Sequence, residues 1–253
     1  MSDDIKRYLI YTFSFSWILW GILIGLVKMG ITTFGTPLAM VFFICGGIMP
    51  AIIGISLKKI YRSNEEFSVY IKNIVNPKHH FGWYILIIVL AFISSYLPTL
   101  FGGATMQKPL YMAFLSFPMM IIGGGVEEIG WRGFLQPALQ KKFSIFISTI
   151  IVSIIWAFWH LPLWFIPGTN QSQRNFIYFI ITLVAISFIY SIIYNATKSI
   201  FMCIVYHAFM NSFWSVFVPN DKILPAFSTL IFGICIFTVY KLVIKRKSVL
   251  LTG

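Results

Sequence analysis

Eight apolar runs, at about 8–28, 37–57, 83–101, 110–140, 143–166, 175–195, 199–218 and 223–244, leave this chain little choice of fold. Each is close to the roughly 20 residues that a helix needs to cross hydrocarbon. None shows the period-two alternation of a barrel strand, and an open strand edge is not viable in lipid. The expected fold is all-α: a polytopic membrane helical bundle of about eight transmembrane helices, with residues 1–253 as a single membrane domain. Charged residues make up 10% of the chain, well below the roughly one quarter of a soluble domain.

A net charge of +12 would point to nucleic acid in a soluble protein. Here the basic residues cluster between the apolar runs, as the positive-inside rule requires. Membrane lipid is the expected partner, with no nucleic acid. With the N-terminus inside, fourteen basic residues fall on the cytoplasmic face: Lys6, Arg7, Lys58, Lys59, Arg62, Lys72, Lys78, Lys141, Lys142, Lys198, Lys241, Lys245, Arg246 and Lys247. Four fall outside: Lys28, Lys108, Arg174 and Lys222. Both termini are therefore expected in the cytoplasm. The first run is longer than a signal-peptide core and lacks a small-x-small cleavage site, so it reads as a retained helix. The C-terminal residues carry no lipidation signal.

Between the runs the chain says less. Ser63-Asn64-Glu65-Glu66 has the capping-box pattern, so a short surface helix should start there. Its Phe67, Tyr70, Ile71 and Ile74 fall at helical spacing and would lie in the membrane interface. His79 and His80 read as an exposed pair at the level of the lipid heads. Cys45, Cys203 and Cys235 lie in apolar runs without a C-x-x-C, and are expected as small buried hydrophobes. Pro109, Pro118, Pro137, Pro162 and Pro167 bracket or bend the fourth and fifth runs, as helices lining a cavity are often bent. Gly168-Thr169-Asn170-Gln171 reads as a polar outer turn.

The chemistry concentrates in Gly123-Gly124-Gly125-Val126-Glu127-Glu128-Ile129-Gly130-Trp131-Arg132-Gly133. Two of the seven acidic residues stand here side by side inside an apolar run. An ionised carboxylate there costs several kcal/mol unless it is partnered. Glu128 and Arg132 are i and i+4, on one helix face, and can pair. Glu127 points about 100° away and is free of that partner. The other strongly polar groups within runs are His160 and the i, i+4 pair His207 and Asn211. A carboxylate beside an imidazole can deprotonate water. A histidine with an asparagine can donate to a developing oxyanion. Together they suit amide hydrolysis. Glu127, His160 and His207 could instead hold a divalent metal such as zinc. The glycines would let a neighbouring helix or a substrate backbone approach. There is no H-E-x-x-H, no Asp within a run to form an aspartyl dyad, and Gly54-Ile55-Ser56-Leu57 is a poor serine-protease match.

Glu127-Glu128-x-x-x-Arg132, Trp156-x-x-x-His160 and His207-x-x-x-Asn211, in this order on separate runs, resemble the CPBP intramembrane proteases, also called the Abi or CAAX-protease-like family. The resemblance covers 110–220, which it implies is the catalytic core. It implies an intramembrane endopeptidase acting on a membrane-associated or lipidated peptide or protein. Glu127 and His160 would activate water, His207 and Asn211 would form the oxyanion site, and Glu128 and Arg132 would support them. The glutamate-base mechanism requires no cofactor, although the family is often named as metalloproteases. Trp156 stands where the family pattern usually has Phe, and is expected to pack as an aromatic wall. With a Lys- and Ile-rich composition, the resemblance implies a bacterial cell membrane. The alternatives are a non-catalytic bacteriocin self-immunity protein and a proton-coupled transporter.

Overall fold

A computed structural model describes residues 3–220 and 222–250, with 245–250 by backbone alone. Asp221, the side chains of Lys245, Arg246 and Lys247 in the basic cluster above, and the C-terminal residues lie outside the described residues. In chain order the helices are α1 (Asp3–Lys28), α2 (Pro37–Gly47), α3 (Met49–Tyr61), α4 (Asn64–Val75), α5 (Phe81–Tyr96), α6 (Tyr111–Ile122), α7 (Gly125–Gln140), α8 (Ile145–Trp159), α9 (Phe176–Thr197), α10 (Ile200–Trp214) and α11 (Ile223–Leu250). Helices α5 and α8 run on as tight 3-10 turns to Phe101 and Phe165.

Helices α1, α5, α8, α9 and α11 are each long and apolar enough to span a membrane. Two more runs are bent pairs, α2–α3 with a 40° bend and α6–α7 with a 42° bend. Helix α10 is apolar but only 15 residues long. These eight segments match the eight runs of the sequence, and the fold is an all-α polytopic membrane bundle.

The bends have local causes. Pro50 lacks an N–H, so it cannot donate to the Gly46 carbonyl four residues back. That carbonyl accepts from the Ser16 hydroxyl of α1 at 2.8 Å. Between α6 and α7 the chain turns at Gly123 and at Gly124, whose φ is +154°. The break thus falls on the glycines rather than at Pro118, which α6 carries in its interior. Helix α7 is itself irregular. It starts as a 3-10 turn over Gly125–Glu127 and widens to a π turn over Trp131–Leu135. There Gln136 N–H donates to Trp131 O, five residues back. Pro137 follows at once, removing a further donor from the normal ladder.

Burial ranks the helices. In α9 61% of the most apolar stretch is buried, against 22% in α1 and 17% in α11. Helix α9 is therefore the central post, packed by α8, α10 and α11, while α10 also packs on α6 and α5. The large apolar side chains exposed on α1 and α11, such as Ile10, Ile18, Ile231 and Val239, face lipid.

Three expectations change. The capping box at Ser63 and Glu66 is present and starts α4. The apolar side of that helix, however, packs on protein: Tyr70 is buried with Ile129, Ile200 and Ile204, and its hydroxyl donates to Ile129 O at 2.7 Å. Among the cysteines only Cys203 is buried, and Cys235 is exposed. The polar turn at Gly168–Gln171 keeps Gly168 and Asn170 exposed, as expected, while Thr169 within it is buried and donates to Leu163 O and Ile166 O. Of the expected exposed pair only His80 is exposed, its Nδ1 accepting from Gly82 N at the start of α5, while His79 is half-buried, its Nε2 out of contact with solvent. The loops also hold an antiparallel ribbon, β1 (Ala104–Met106) with β2 (Phe217–Pro219), pairing Thr105 with Val218. Three residues per strand are too few to leave an alternation in sequence.

Gly130 is where α7 and α3 come closest. A side chain there would strike the Pro50 carbonyl and the Tyr8 hydroxyl. Gly130→Val is expected to lower stability by about 1–3 kcal/mol through overpacking, read as a lower unfolding midpoint in detergent. Gly21→Ala on α1, where nothing lies within 4 Å, should leave the midpoint unchanged or raised.

Candidate active site

Glu128 and Arg132 are both fully buried, one turn apart at the 3-10 to π transition of α7. Arg132 Nη1 donates to Glu128 Oε2 at 2.8 Å and to Oε1 at 3.1 Å. Arg132 Nη2 donates to the Ser187 hydroxyl of α9 at 2.9 Å. The guanidinium carbon lies 4.1 Å from the Tyr190 ring centre and 4.7 Å from that of Trp156. The charge is thus paired, hydrogen-bonded and held against two aromatic faces, the conditions under which burial is tolerable. One turn on, Gln136 donates to Ser191 at 3.0 Å. Two i, i+4 ladders, Arg132/Gln136 on α7 and Ser187/Ser191 on α9, therefore lock these helices in register.

Glu128 has a second partner. His207 Nδ1 of α10 lies 2.7 Å from Glu128 Oε1, so the carboxylate bridges Arg132 and His207. With Nδ1 engaged, His207 Nε2 is turned toward Gly124: a side chain at Gly124 would meet Nε2 at 2.8 Å. The same added atom would overlap the Asn211 amide nitrogen, which donates to Gly123 O at 3.2 Å. The His207 and Asn211 donors thus stand together over the backbone of the glycine break. Its φ and this crowding both demand glycine at 124.

Glu127 points to a different wall, as its spacing from Glu128 requires. It is 7% exposed, and its Oε2 accepts from Trp156 Nε1 of α8 at 2.9 Å. Glu127 is clear of Arg132, as its spacing implied, and the aromatic residue read as wall packing donates to it. Glu127 and His160 are brought to the same tryptophan without a hydrogen bond between them among the described residues. His160 Nδ1 lies 2.8 Å from Trp156 O. A carbonyl can only accept, so Nδ1 carries the proton and Nε2 keeps its lone pair. The imidazole is boxed by Trp159 at 4.7 Å and Phe179 at 5.3 Å, centre to centre. Trp159 is in turn held by α1, with Trp20 at 4.7 Å and Trp17 Nε1 donating to Trp159 O at 3.0 Å.

All six residues singled out in the sequence gather around one aromatic hub. Trp156 is 2% exposed, and its ring centre lies 5.7 Å from that of His160 and 5.5 Å from that of His207. The sequence reading missed Trp156 as a donor and Ser187, Ser191 and Tyr190 as the cradle of Arg132. The serines did leave a signal, an i, i+4 polar pair in an otherwise apolar run. Among the described residues no three His, Cys, Asp or Glu side chains converge as ligands.

A polytopic helical bundle with carboxylate, imidazole and amide groups gathered inside it from three helices is an intramembrane-site protein. The family model described as "Type II CAAX prenyl endopeptidase Rce1-like" matches residues 108–213, from just before α6 to the end of α10. The chain is also similar to "CAAX prenyl protease 2" of Methanococcus maripaludis, 27% identical over 181 residues, which is 66% of this chain and 65% of that protein. The matched residues 108–213 hold Glu127, His160, His207 and Asn211, the positions whose motifs resemble this family.

Arg132→Leu should strand the Glu128 charge and destabilise the fold by about 3–5 kcal/mol, seen as loss of folded protein in detergent. Gly124→Ala would strain the backbone at φ +154° and drive a side chain into Asn211 and His207. Its expected signature is an unfolding midpoint in detergent lowered by the equivalent of about 1–3 kcal/mol.

Proposed function

We propose that this protein is an intramembrane endopeptidase that hydrolyses a peptide bond of a membrane-associated or lipidated peptide or protein. The observation that supports it is the gathering of Glu127, His160, His207 and Asn211 from α7, α8 and α10 around Trp156 and the Gly123–Gly124 break.

Glu127 acts as the base. Its carboxylate takes a proton from a water that the His160 Nε2 lone pair helps to hold, and the hydroxide attacks the scissile carbonyl carbon. The carbonyl π electrons move onto oxygen. Asn211 Nδ2–H and a proton on His207 Nε2 donate to that oxyanion. Glu128 on Nδ1 orients His207 and balances its charge when Nε2 is protonated. The oxyanion then collapses, the C–N bond breaks, and Glu127 returns its proton to the leaving amine. Arg132 touches none of the reacting atoms and serves by holding Glu128. No metal is required in this scheme. By the relative's name, a prenylated peptide with a CAAX-type end is the first substrate to try. The excess of Lys and Arg between alternate runs supports cytoplasmic termini, and a bacterial cell membrane is the proposed location.

Glu127→Gln keeps shape and removes the base. It should reduce cleavage of a farnesylated CAAX-type peptide by at least about 10³-fold with normal membrane insertion and folding. Retained cleavage would remove Glu127 from the mechanism. Wild-type protein dialysed against a chelator should keep its activity. A loss restored by zinc would replace the glutamate-base mechanism with a metal-dependent one. Wild-type protein that binds such peptides without cleaving any would favour the non-catalytic immunity reading.

A further inference from the structure

We propose that Trp156 is a positioning residue for Glu127: its indole N–H, 2.9 Å from Oε2, fixes the carboxylate so that Oε1 alone is left to meet the water. The inference rests on the hydrolase reading above and extends it to a residue outside the three charged and polar motif positions. A glutamate side chain has three rotatable torsions. On the 3-10 turn that opens α7, Glu127 has no ion pair among the described residues, unlike Glu128. The Trp131 indole on the same helix also faces Glu127, but only the Trp156 N–H makes a hydrogen bond of good geometry to it among the described residues.

Trp156 itself cannot swing. It is 2% exposed, with its ring against the Arg132 guanidinium at 4.7 Å, Tyr190 at 5.8 Å and His207 at 5.5 Å. It is therefore a rigid donor to a flexible acceptor. A hydrogen bond to an ionised group is among the stronger ones, and more so away from bulk water. The bond also ties α7 to α8, so the base and the His160 imidazole take their positions from one residue: the indole N–H sets the first, and the backbone carbonyl sets the second.

The test is Trp156→Phe in the full-length protein in liposomes, with a farnesylated CAAX-type peptide as probe. Phenylalanine keeps a six-membered ring against Arg132 and His207 but lacks the donor and the rest of the indole. The expected result is kcat lower by about ten- to a hundredfold, the loss of one hydrogen bond to a charged group, with KM within about twofold and an unfolding midpoint lowered by the smaller ring. Unchanged kcat in W156F, beside an inactive E127Q, would overturn the positioning role and leave the hydrolase reading standing. An active E127Q would overturn the hydrolase reading instead. A second measurement does not depend on W156F folding. In protein labelled with nitrogen-15, Glu127→Ala should move one indole N–H resonance upfield by freeing its donor. If no indole resonance moves, the bond is absent and the proposal falls.

Discussion

The structure turns on the buried pair of Glu128 and Arg132. Neither charge could stay in an apolar bundle alone, and each acquires its further partners from a different helix. Arg132 reaches Ser187, Tyr190 and Trp156 on α9 and α8, and Glu128 reaches His207 on α10. One ion pair therefore fixes three neighbours of α7. The cost of burying charge becomes a constraint on which helices can adjoin. That constraint is specific in a way that lipid-compatible apolar packing is not, because hydrocarbon side chains gain little by choosing one another over lipid.

The glycine break supplies the complement. Without a side chain at 124 the chain can turn out of α6, enter α7 with Glu127 and Glu128 on different walls, and let the Asn211 amide and His207 ring close over its backbone. The π turn that follows is of the kind found at functional sites in other helices. It lies at Trp131–Leu135, where Arg132 must reach across to α9. Irregular backbone at this depth is enclosed by protein, as membrane solvation requires.

Much of this was legible in the sequence, for reasons that can be named. The apolar runs gave eight segments with boundaries close to those observed, because length and hydropathy dominate in a membrane. The i, i+4 spacing of Glu128 and Arg132 implied their pairing, since helical geometry fixes neighbours one turn apart. Contacts between helices left weaker traces. That Glu128 would also bind His207, or that Trp156 would donate to Glu127, depends on the crossing of α7, α8 and α10, which no local pattern encodes. The same holds for α4, whose spacing announced an apolar face but not whether lipid or protein would cover it. The bend between α2 and α3 was not read from the sequence, which showed one apolar run over 37–57; it follows from Pro50 and from Ser16 of another helix taking the freed carbonyl.

The end of α8 binds chemistry and folding into one side chain. His160 N–H turns to Ala157 O, three residues back, and the imidazole Nδ1 takes the Trp156 carbonyl that a continuing helix would have used. The ring is thus the terminator of its own helix. Removing the imidazole would leave a carbonyl orphaned in the interior, on the same residue that donates to Glu127. A defect measured after such a change would combine lost reactivity with a loosened helix end. Only a replacement that keeps a donor at the Nδ1 position could separate the two. The position is therefore constrained by the helix end alone, whatever chemistry the imidazole performs.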